Sequence, residues 1–172
     1  MVGWHRRHRF CGTCGSPTVI QEAGHSRKCP NCGASGYPRT DPAVIMLVYS
    51  GDKIVLGKRR NPQGAIWTVL AGFVEPGESL EHAVAREVKE EVGLTVVNAT
   101  YRGSQPWPFP ASIMLGFYAE ASSVDITIDP EELVDARWFT RDQLRNPQDH
   151  GFRLPRGDSI ASRLIADWID AG

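Results

Sequence analysis

The sequence has no hydrophobic run long enough to cross a membrane. Its longest apolar stretch, residues 43–49, has seven residues, whereas a spanning helix needs about 20. The first nine residues include several basic side chains, but no apolar segment follows them, so they do not have the pattern of a secretory signal. We therefore expect a cytoplasmic protein that does not contact a membrane.

Cysteine is also scarce, and all four residues fall in one short region. Two Cys-x2-Cys pairs are separated by 14 residues, and a glycine, Gly15 or Gly33, follows each second cysteine. This spacing favours one tetrahedral zinc ion over the alternatives of two disulfides or a redox pair. Four thiolate ligands leave no open coordination position, so the zinc is expected to be structural. The predicted zinc ligands are Cys11, Cys14, Cys29 and Cys32.

The chain as a whole has no large excess of charge of either sign, since its formal net charge is −1. The charges are unevenly placed. Residues 1–39 hold six of the 19 Lys and Arg residues but only one of the 20 acidic residues, Glu22. A basic N-terminal region could attract a polyanion. A solvated basic surface is the simpler interpretation, and the one that composition alone favours.

Two domains are expected: a small zinc ribbon at 1–39 and a larger α+β domain at 40–172, with a stiff proline-containing junction at 38–42. Strands with a few interspersed helices indicate a mixed sheet flanked by helices. Apolar runs and turn signals predict strands at 43–49, 53–57, 67–73, 95–101, 113–120, 126–128 and 136–139. Helical periodicity predicts helices at 79–92 and 159–170.

The helix predicted at 79–92 combines an apolar stripe with clustered acids. Ser79 is a suitable N-cap, and Gly93 is a suitable residue to end the helix. Glu87 and Glu91 lie one turn apart on the same side, close to the stripe, where an unpaired carboxylate is costly. A divalent cation that prefers oxygen ligands, such as Mg²⁺, explains these acids better than an acid-rich surface helix does.

Residues 72–94 resemble the Nudix box, G-x5-E-x7-R-E-U-x-E-E-x-G-U, in which U is a bulky aliphatic residue. Within this segment, Arg86 is expected to face away from the apolar stripe and to pair with Glu90. The resemblance implies a Nudix fold, an α/β/α sandwich with a mixed sheet, and hydrolysis of a nucleoside diphosphate linked to another group. Every fixed position is matched, by Gly72, Glu78, Arg86, Glu87, Val88, Glu90, Glu91, Gly93 and Leu94.

A second segment, residues 104–112, holds three prolines at alternate positions. Such prolines enforce an extended backbone that pairs poorly with other strands, so a rigid loop is expected. Trp107 and Phe109 offer flat apolar faces, while Gln105 and Ser112 offer hydrogen-bonding groups suited to a heterocycle and its ribose. The alternative is a stiff connection whose aromatic side chains fill the core.

The sequence S-Q-P-W-P-F-P-x-S and the preceding ribbon resemble the NADH pyrophosphatase branch of the Nudix family. The resemblance implies hydrolysis of NAD(H) to AMP and nicotinamide mononucleotide, in a homodimer whose proline loop completes the pocket of the partner subunit. It also implies that full-length relatives carry a further domain before the ribbon, and that Phe73 stacks on the nicotinamide. The implied substrate-binding residues are Tyr37, Phe73, Gln105, Pro106, Trp107, Pro108, Phe109, Pro110, Ala111, Ser112 and Ala161.

The resemblance also implies catalytic Mg²⁺ or Mn²⁺. These cations neutralise the diphosphate and activate a water molecule for attack on phosphorus, with Glu91 as the first candidate to accept its proton. The implied catalytic residues are Glu87, Glu90 and Glu91. The implied cation ligands are Glu87, Glu91, Glu132 and the backbone carbonyl of Ala71.

Three further hypotheses stay open. The substrate could be another nucleoside diphosphate derivative, such as ADP-ribose or a diadenosine polyphosphate. It could be the NAD cap at an RNA 5′ end, with which the same branch is associated. The basic ribbon would suit such a substrate, and binding of the RNA should then weaken with added salt. A non-catalytic zinc-ribbon adaptor is the third, and the complete set of clustered carboxylates argues against it.

Overall fold

Contacts within the chain separate it into two units, Met1–Thr40 and Asp41–Gly172. The computed structural model describes residues 1–60 and 66–172. Among these residues, no helix is both long and apolar enough to span a bilayer.

The smaller unit contains one short helix, α1 (Val2–Arg7), and three short strands, β1 (Val19–Gln21), β2 (Ser26–Lys28) and β3 (Ser35–Gly36). The strands form an antiparallel sheet in the order β1-β2-β3. Its only buried residues are Trp4, Cys11, Ser26, Arg27 and Cys29, all within the described range 1–40. A unit of this size cannot bury a large core, so its fold depends on a staple such as a metal ion.

The larger unit is built on a six-stranded mixed sheet. Its strands are β4 (Asp41–Ser50), β5 (Lys53–Arg59), β6 (Leu70–Phe73), β7 (Val96–Trp107), β8 (Ser112–Ala121) and β9 (Leu133–Thr140). Its helices are α2 (Leu80–Val92), α3 (Arg141–Arg145) and α4 (Ile160–Asp170). The main strand order is β7-β8-β4-β5-β9, and β6 pairs with β4. Only the β4–β8 pair is parallel among the described strands.

Strand β4 separates two hydrophobic cores. Val44, Met46 and Val48 belong to the core that includes the apolar side chains of α2. The alternate residues Ile45 and Leu47 belong to the core that includes those of α4. Since successive side chains of a strand point to opposite faces, α2 and α4 lie on opposite faces of the sheet. This arrangement confirms the predicted α/β/α sandwich with a mixed sheet.

The proline-rich segment corrects one prediction. Residues 104–107 were expected to form a loop, but they continue β7, and Pro106 lies opposite Ile113 of β8. β7 is at the edge of the strand order. A proline, which has no N–H to donate, is tolerated in an edge strand because no second neighbouring strand needs that donor. Only residues 108–111 form the turn into β8.

The prediction of a strand at 126–128 is also wrong. In the described ranges this segment pairs with no strand. Its Thr127 amide donates instead to the Val92 carbonyl at the end of α2, at 3.0 Å. Ile126 and Ile128 pack against the first core, so the apolar alternation reflects packing rather than sheet pairing. Helices α1 and α3 were not predicted, because both are too short for a periodic signal.

Candidate active site and zinc centre

Two tight turns in the smaller unit bring the cysteine sulfurs together. Gly15 and Gly33 adopt left-handed φ values of 74° and 77°, and their amides donate to the carbonyls of Cys11 and Cys29 at 2.9 and 3.0 Å. The four sulfurs lie within 4.8 Å of one another. Sulfurs around a tetrahedral zinc ion, at Zn–S distances of about 2.3 Å, are roughly 3.8 Å apart, so the cluster fits one zinc ion.

The charge state of this cluster also calls for a cation. Hydrogen bonds from Ser16 lower the pKa of Cys14 to about 5. A hydrogen bond from the Ala34 amide lowers the pKa of Cys32, but the neighbouring sulfurs outweigh it and raise that pKa to about 12. Four adjacent thiolates therefore cannot all be ionised without a compensating positive charge, which a zinc ion would supply.

In the larger unit, helix α2 directs two carboxylates towards the sheet. The Ser79 side chain caps its first turn, and Gly93 ends it in the left-handed conformation with a φ of 70°. Val84 and Val88 are buried in the first core. Because Glu87 and Glu91 lie beside this stripe, they are buried as well, with exposed fractions of 7% and 1%.

Arg86 ties this helix to the loop before it. Its guanidinium donates to both oxygens of Glu78 at 2.8 and 2.9 Å, to Glu87 and Glu90 at 2.9 Å each, and to the Phe73 carbonyl at 2.8 Å. The predicted pairing with Glu90 is confirmed. The prediction that Arg86 faces away from the packed side is wrong, because Glu78 and the Phe73 carbonyl draw it inwards. The hydrogen bond from Arg86 lowers the pKa of Glu78 to about 2.

Burial makes ionisation of the two inner carboxylates unfavourable. It raises the pKa of Glu91 to about 7, against the opposing effect of Arg59, and it raises the pKa of Glu87, against the opposing hydrogen bond from Arg86. One oxygen of Glu91, Oε1, accepts from the Ala71 amide at 3.2 Å. The other, Oε2, is buried with no hydrogen-bond partner among the described residues, which is costly for a carboxylate.

A third carboxylate, Glu132, comes from the turn before β9. The backbone of this turn is fixed to α2, because the Asp129 amide donates to the Glu91 carbonyl at 3.0 Å and the Leu133 amide donates to the Asp129 carbonyl at 2.9 Å. The negative charge of Glu132 contributes to the raised pKa values of both Glu87 and Glu91. The structure thus brings the three predicted acidic cation ligands to one region.

One residue of this region was not predicted. Arg59, at the end of β5, directs Nη2 to the Ala71 carbonyl at 2.7 Å, to Glu91 Oε1 at 3.3 Å and to Glu132 Oε2 at 4.0 Å. Among the described residues, only the four cysteines have three or more ligand atoms within 4.8 Å of one another. Glu91 and Glu132 contact the Arg59 guanidinium instead, and Glu87 contacts Arg86. A basic residue at a strand end carries no motif, so the sequence alone could not identify it.

An open cleft of about 740 Å³ is lined by Arg59, Glu87 and Glu132 of this region and by aromatic side chains. Its aromatic residues are Phe73, Trp107 and Phe109. The rings of Trp107 and Phe109 meet edge to face, with centroids 5.6 Å apart. The full lining comprises Ala43, Arg59, Arg60, Ala71, Gly72, Phe73, Glu75, Arg86, Glu87, Trp107, Phe109, Ser112, Met114, Glu131 and Glu132.

Gln105 and Pro106 line a different cleft, beside the start of α4. The Gln105 amide nitrogen donates to the Asp158 carbonyl at 2.9 Å, and its oxygen accepts from the Ile160 amide at 2.8 Å.

The other predicted site residues of the larger unit do not line this cleft. Ala161 is buried in the second core, and Tyr37 is exposed in the smaller unit. Glu90 is exposed and bonded to Arg86. Pro108, Pro110 and Ala111 lie in the turn between β7 and β8. The roles of all these residues in substrate binding or catalysis stay predictions.

Residues 39–159 match a family model described as the NUDIX domain. The chain belongs to the Nudix family. Residues 6–37 of this Nudix protein match a second model, the NADH pyrophosphatase zinc ribbon domain. The two matches confirm the resemblance drawn from the sequence. The ribbon match and the sulfur cluster together support a structural zinc ion.

Curated relatives cover nearly the whole chain. A human protein named NAD-capped RNA hydrolase NUDT12 is 43% identical over 98% of this chain, which spans 40% of that protein. NAD-capped RNA hydrolase NudC from Stutzerimonas stutzeri is 46% identical over 96% of this chain, which spans 58% of that protein. The chain thus spans about half the length of these relatives.

Solved structures support the fold. A NUDIX hydrolase from Nitrosomonas europaea is 23% identical, with a TM-score of 0.67 over 86% of this chain and 96% of that one. A NUDIX family hydrolase from Clostridium perfringens is 18% identical, with a TM-score of 0.60 over 78% of this chain and 99% of that one. Both similarities concern the fold alone.

Proposed function

We propose that this Nudix protein hydrolyses the diphosphate of NAD(H) to AMP and nicotinamide mononucleotide, with Mg²⁺ or Mn²⁺ as catalytic cation. The observation that carries the proposal is the shared cleft, which is lined both by acidic side chains, among them the buried Glu87, and by exposed aromatic side chains. A diphosphate linked to flat heterocycles needs both kinds of group within one site. The relatives named NAD-capped RNA hydrolases are consistent with a substrate that contains NAD.

The acidic residues fit a hard divalent cation. Glu91 Oε2 is buried and lacks a hydrogen-bond partner among the described residues, and a carboxylate in that situation needs positive charge. Glu87, Glu132 and the Ala71 carbonyl add oxygen ligands of the kind that Mg²⁺ and Mn²⁺ prefer. Such cations, when bound, would neutralise the diphosphate and activate the attacking water.

The protein's own groups have separate proposed roles. Glu91 would accept a proton from the attacking water, because burial raises its pKa to about 7, close to neutral pH. Glu87 would hold the cation beside it. Glu90, which is exposed and bonded to Arg86, would act through that arginine, which fixes the loop carrying Glu78.

The aromatic residues are proposed to bind the heterocycles. Phe73 is 60% exposed although it ends a strand beside the acidic cluster, so its ring is available for stacking on the nicotinamide. Trp107 and Phe109, with Ser112 beside them, would contact the rest of the dinucleotide. Replacing Phe73 by Ala should raise KM for NADH more than it lowers kcat, because stacking binds the ground and transition states alike.

The test is product analysis after incubation of the purified protein with NADH and Mg²⁺ or Mn²⁺. We expect AMP and reduced nicotinamide mononucleotide, with loss of both products in chelator and in the Glu91→Gln variant. Glu81→Gln is the matched control, since it makes the same change at an exposed position of α2, and it should retain activity. Cleavage of ADP-ribose at a higher kcat/KM than NADH would support another diphosphate substrate instead.

A second candidate substrate is the NAD cap of an RNA 5′ end. The smaller unit supports it, because its basic side chains Arg6, Arg7, Arg9, Lys28 and Arg39 are exposed. Contacts between such residues and RNA phosphates would release counterions, so binding should weaken steeply with salt. We expect KM for capped RNA to rise with ionic strength more steeply than KM for NADH. Equal salt dependence would contradict an RNA contact.

A homodimer and a cytoplasmic location complete the proposal. Phe109 is 73% exposed at the tip of the β7–β8 hairpin, a position suited to contact with a second subunit. Light scattering should give twice the chain mass, and Phe109→Ala should shift the equilibrium towards monomer. A cytoplasmic location follows from the ribbon, since a reducing compartment keeps its four thiols available for zinc.

A further inference from the structure

The Arg59 guanidinium occupies the position where the oxygen ligands of the proposed cation site converge. A single nitrogen, Nη2, is 2.7 Å from the Ala71 carbonyl, 3.3 Å from Glu91 Oε1 and 4.0 Å from Glu132 Oε2. These three oxygens come from three separate elements: β6, α2 and the turn before β9. They are also three of the four groups assigned above to the catalytic cation.

We propose that Arg59 occupies this ligand set in the absence of the cation, compensates its negative charge, and is displaced when the cation binds. The inference rests on the proposed cation site. A hydrogen-bonded guanidinium compensates buried negative charge, so the acids can stay close without a metal ion.

The guanidinium and the cation would compete for this set. A cation held by the Ala71 carbonyl and the Glu91 carboxylate would compete with Nη2, which already contacts both groups. Two positive charges so close in a partly buried site repel each other. Arg59 is able to leave, because its side chain is half exposed and lines the open cleft.

The displaced guanidinium would remain beside the substrate. Arg59 and Arg60 both line the cleft that also holds Trp107 and Phe109. A diphosphate bound there would gain a planar donor that pairs well with phosphate oxygens. Binding of the cation would therefore be coupled to release of a phosphate-binding group, so that metal and substrate favour each other.

The test is a titration of the zinc-loaded protein with Mn²⁺ in the absence of substrate, with free Mn²⁺ measured by electron paramagnetic resonance. Arg59→Ala should bind Mn²⁺ about tenfold more tightly than the wild type, because the competing hydrogen bonds to charged groups are lost. Arg59→Lys, which keeps the charge but loses the planar donor, should fall between them. The matched control is Arg60→Ala, which removes the same charge from the same cleft but none of the three contacts, and it should tighten binding less than twofold.

Unchanged or weaker Mn²⁺ binding by Arg59→Ala would overturn the inference, as would equal tightening in Arg60→Ala, which would indicate a general charge effect. In either case the proposed hydrolysis of NADH would stand. Failure of the wild type to bind Mn²⁺ would overturn the cation site and this inference together. The affinity is measured without substrate, so the two proposals fail in distinguishable ways.

Discussion

The carboxylate of Glu87 lies directly against the Cα of Gly72, so that a Cβ at that position would collide with it. Gly72 is the first fixed residue of the Nudix box, and Glu87 follows on the helix. The glycine is needed because β6 passes α2 with no space between the strand backbone and the carboxylate. Its role is steric, since its φ is not in the left-handed region.

Replacement of Gly72 by Ala should therefore displace Glu87. We expect a loss of about 1–3 kcal/mol in the free energy of unfolding, which is typical of overpacking, and a fall in kcat of about 100-fold from the misplaced ligand. Urea unfolding and steady-state kinetics measure the two effects. Gly103→Ala is the matched control, because a Cβ there meets no atom within 4 Å. Similar kinetics for both variants would contradict the steric explanation.

The side chain of Gln105 allows a test between structure and substrate binding. It accepts a hydrogen bond from the Ile160 amide and donates to the Asp158 carbonyl, which fixes the start of α4. Gln105→Ala should lower the free energy of unfolding by about 1–2 kcal/mol, because these partners lose their hydrogen bonds, while KM for NADH changes little. Unchanged stability with a raised KM would instead support the substrate contact that the motif implies.

Stability of the protein without added Mg²⁺ or Mn²⁺ should depend on pH through Glu91. Burial raises its pKa from 4.5 to about 7, so between these values the folded state holds a proton that the unfolded state has released. Stability should therefore fall as pH rises from about 4.5 to about 7, by up to about 3 kcal/mol.

Urea unfolding at several pH values would measure this slope, and Glu91→Gln should remove the contribution, since a glutamine does not titrate. If the free energy of unfolding changed with pH in the same way in both proteins, Glu91 would not be the group responsible for the dependence. Added Mg²⁺ or Mn²⁺ should flatten the wild-type profile, because the cation favours the ionised carboxylate.

The ribbon should hold one zinc ion per chain. Cys14→Ser should reduce the zinc content strongly, because hydroxyl oxygen is a poor replacement for the thiolate in a four-sulfur site. Elemental analysis of the purified protein measures the ratio. Ser35→Ala, an exposed change in the same unit, is the control and should keep its zinc. Full zinc retention in Cys14→Ser would mean that the metal is held elsewhere or by three sulfurs.

The sequence predicted best those features that follow from spacing alone. The bounds of α2 agree with the structure within one residue, because Ser79 and Gly93 are unambiguous capping residues. The burial of Glu87 and Glu91 followed from helical periodicity. The four cysteines were predictable for the same reason, since two short-spaced pairs can reach one ion with no knowledge of the remaining fold.

Features that depend on sheet context were not predictable. Pro106 indicated a loop, and only the edge position of β7 explains why it is tolerated in a paired strand. Gln105 belongs to a motif implied to bind substrate, whereas its contacts at α4 join residues more than 50 positions apart. Arg59 approaches Ala71, Glu91 and Glu132 only after three elements have assembled, so no local pattern marks it.

The hydrogen bonds from Asp129 and Thr127 to the end of α2 have a consequence for how this protein can change during evolution. A ligand carried on a connecting segment usually drifts when that segment gains or loses residues. Here hydrogen bonds to α2 hold the backbone of the turn that carries Glu132, so its position does not depend on the length of the connection from β8. Insertions near residues 123–125 would lengthen the chain without moving that carboxylate, whereas a single insertion between 129 and 132 would change its register.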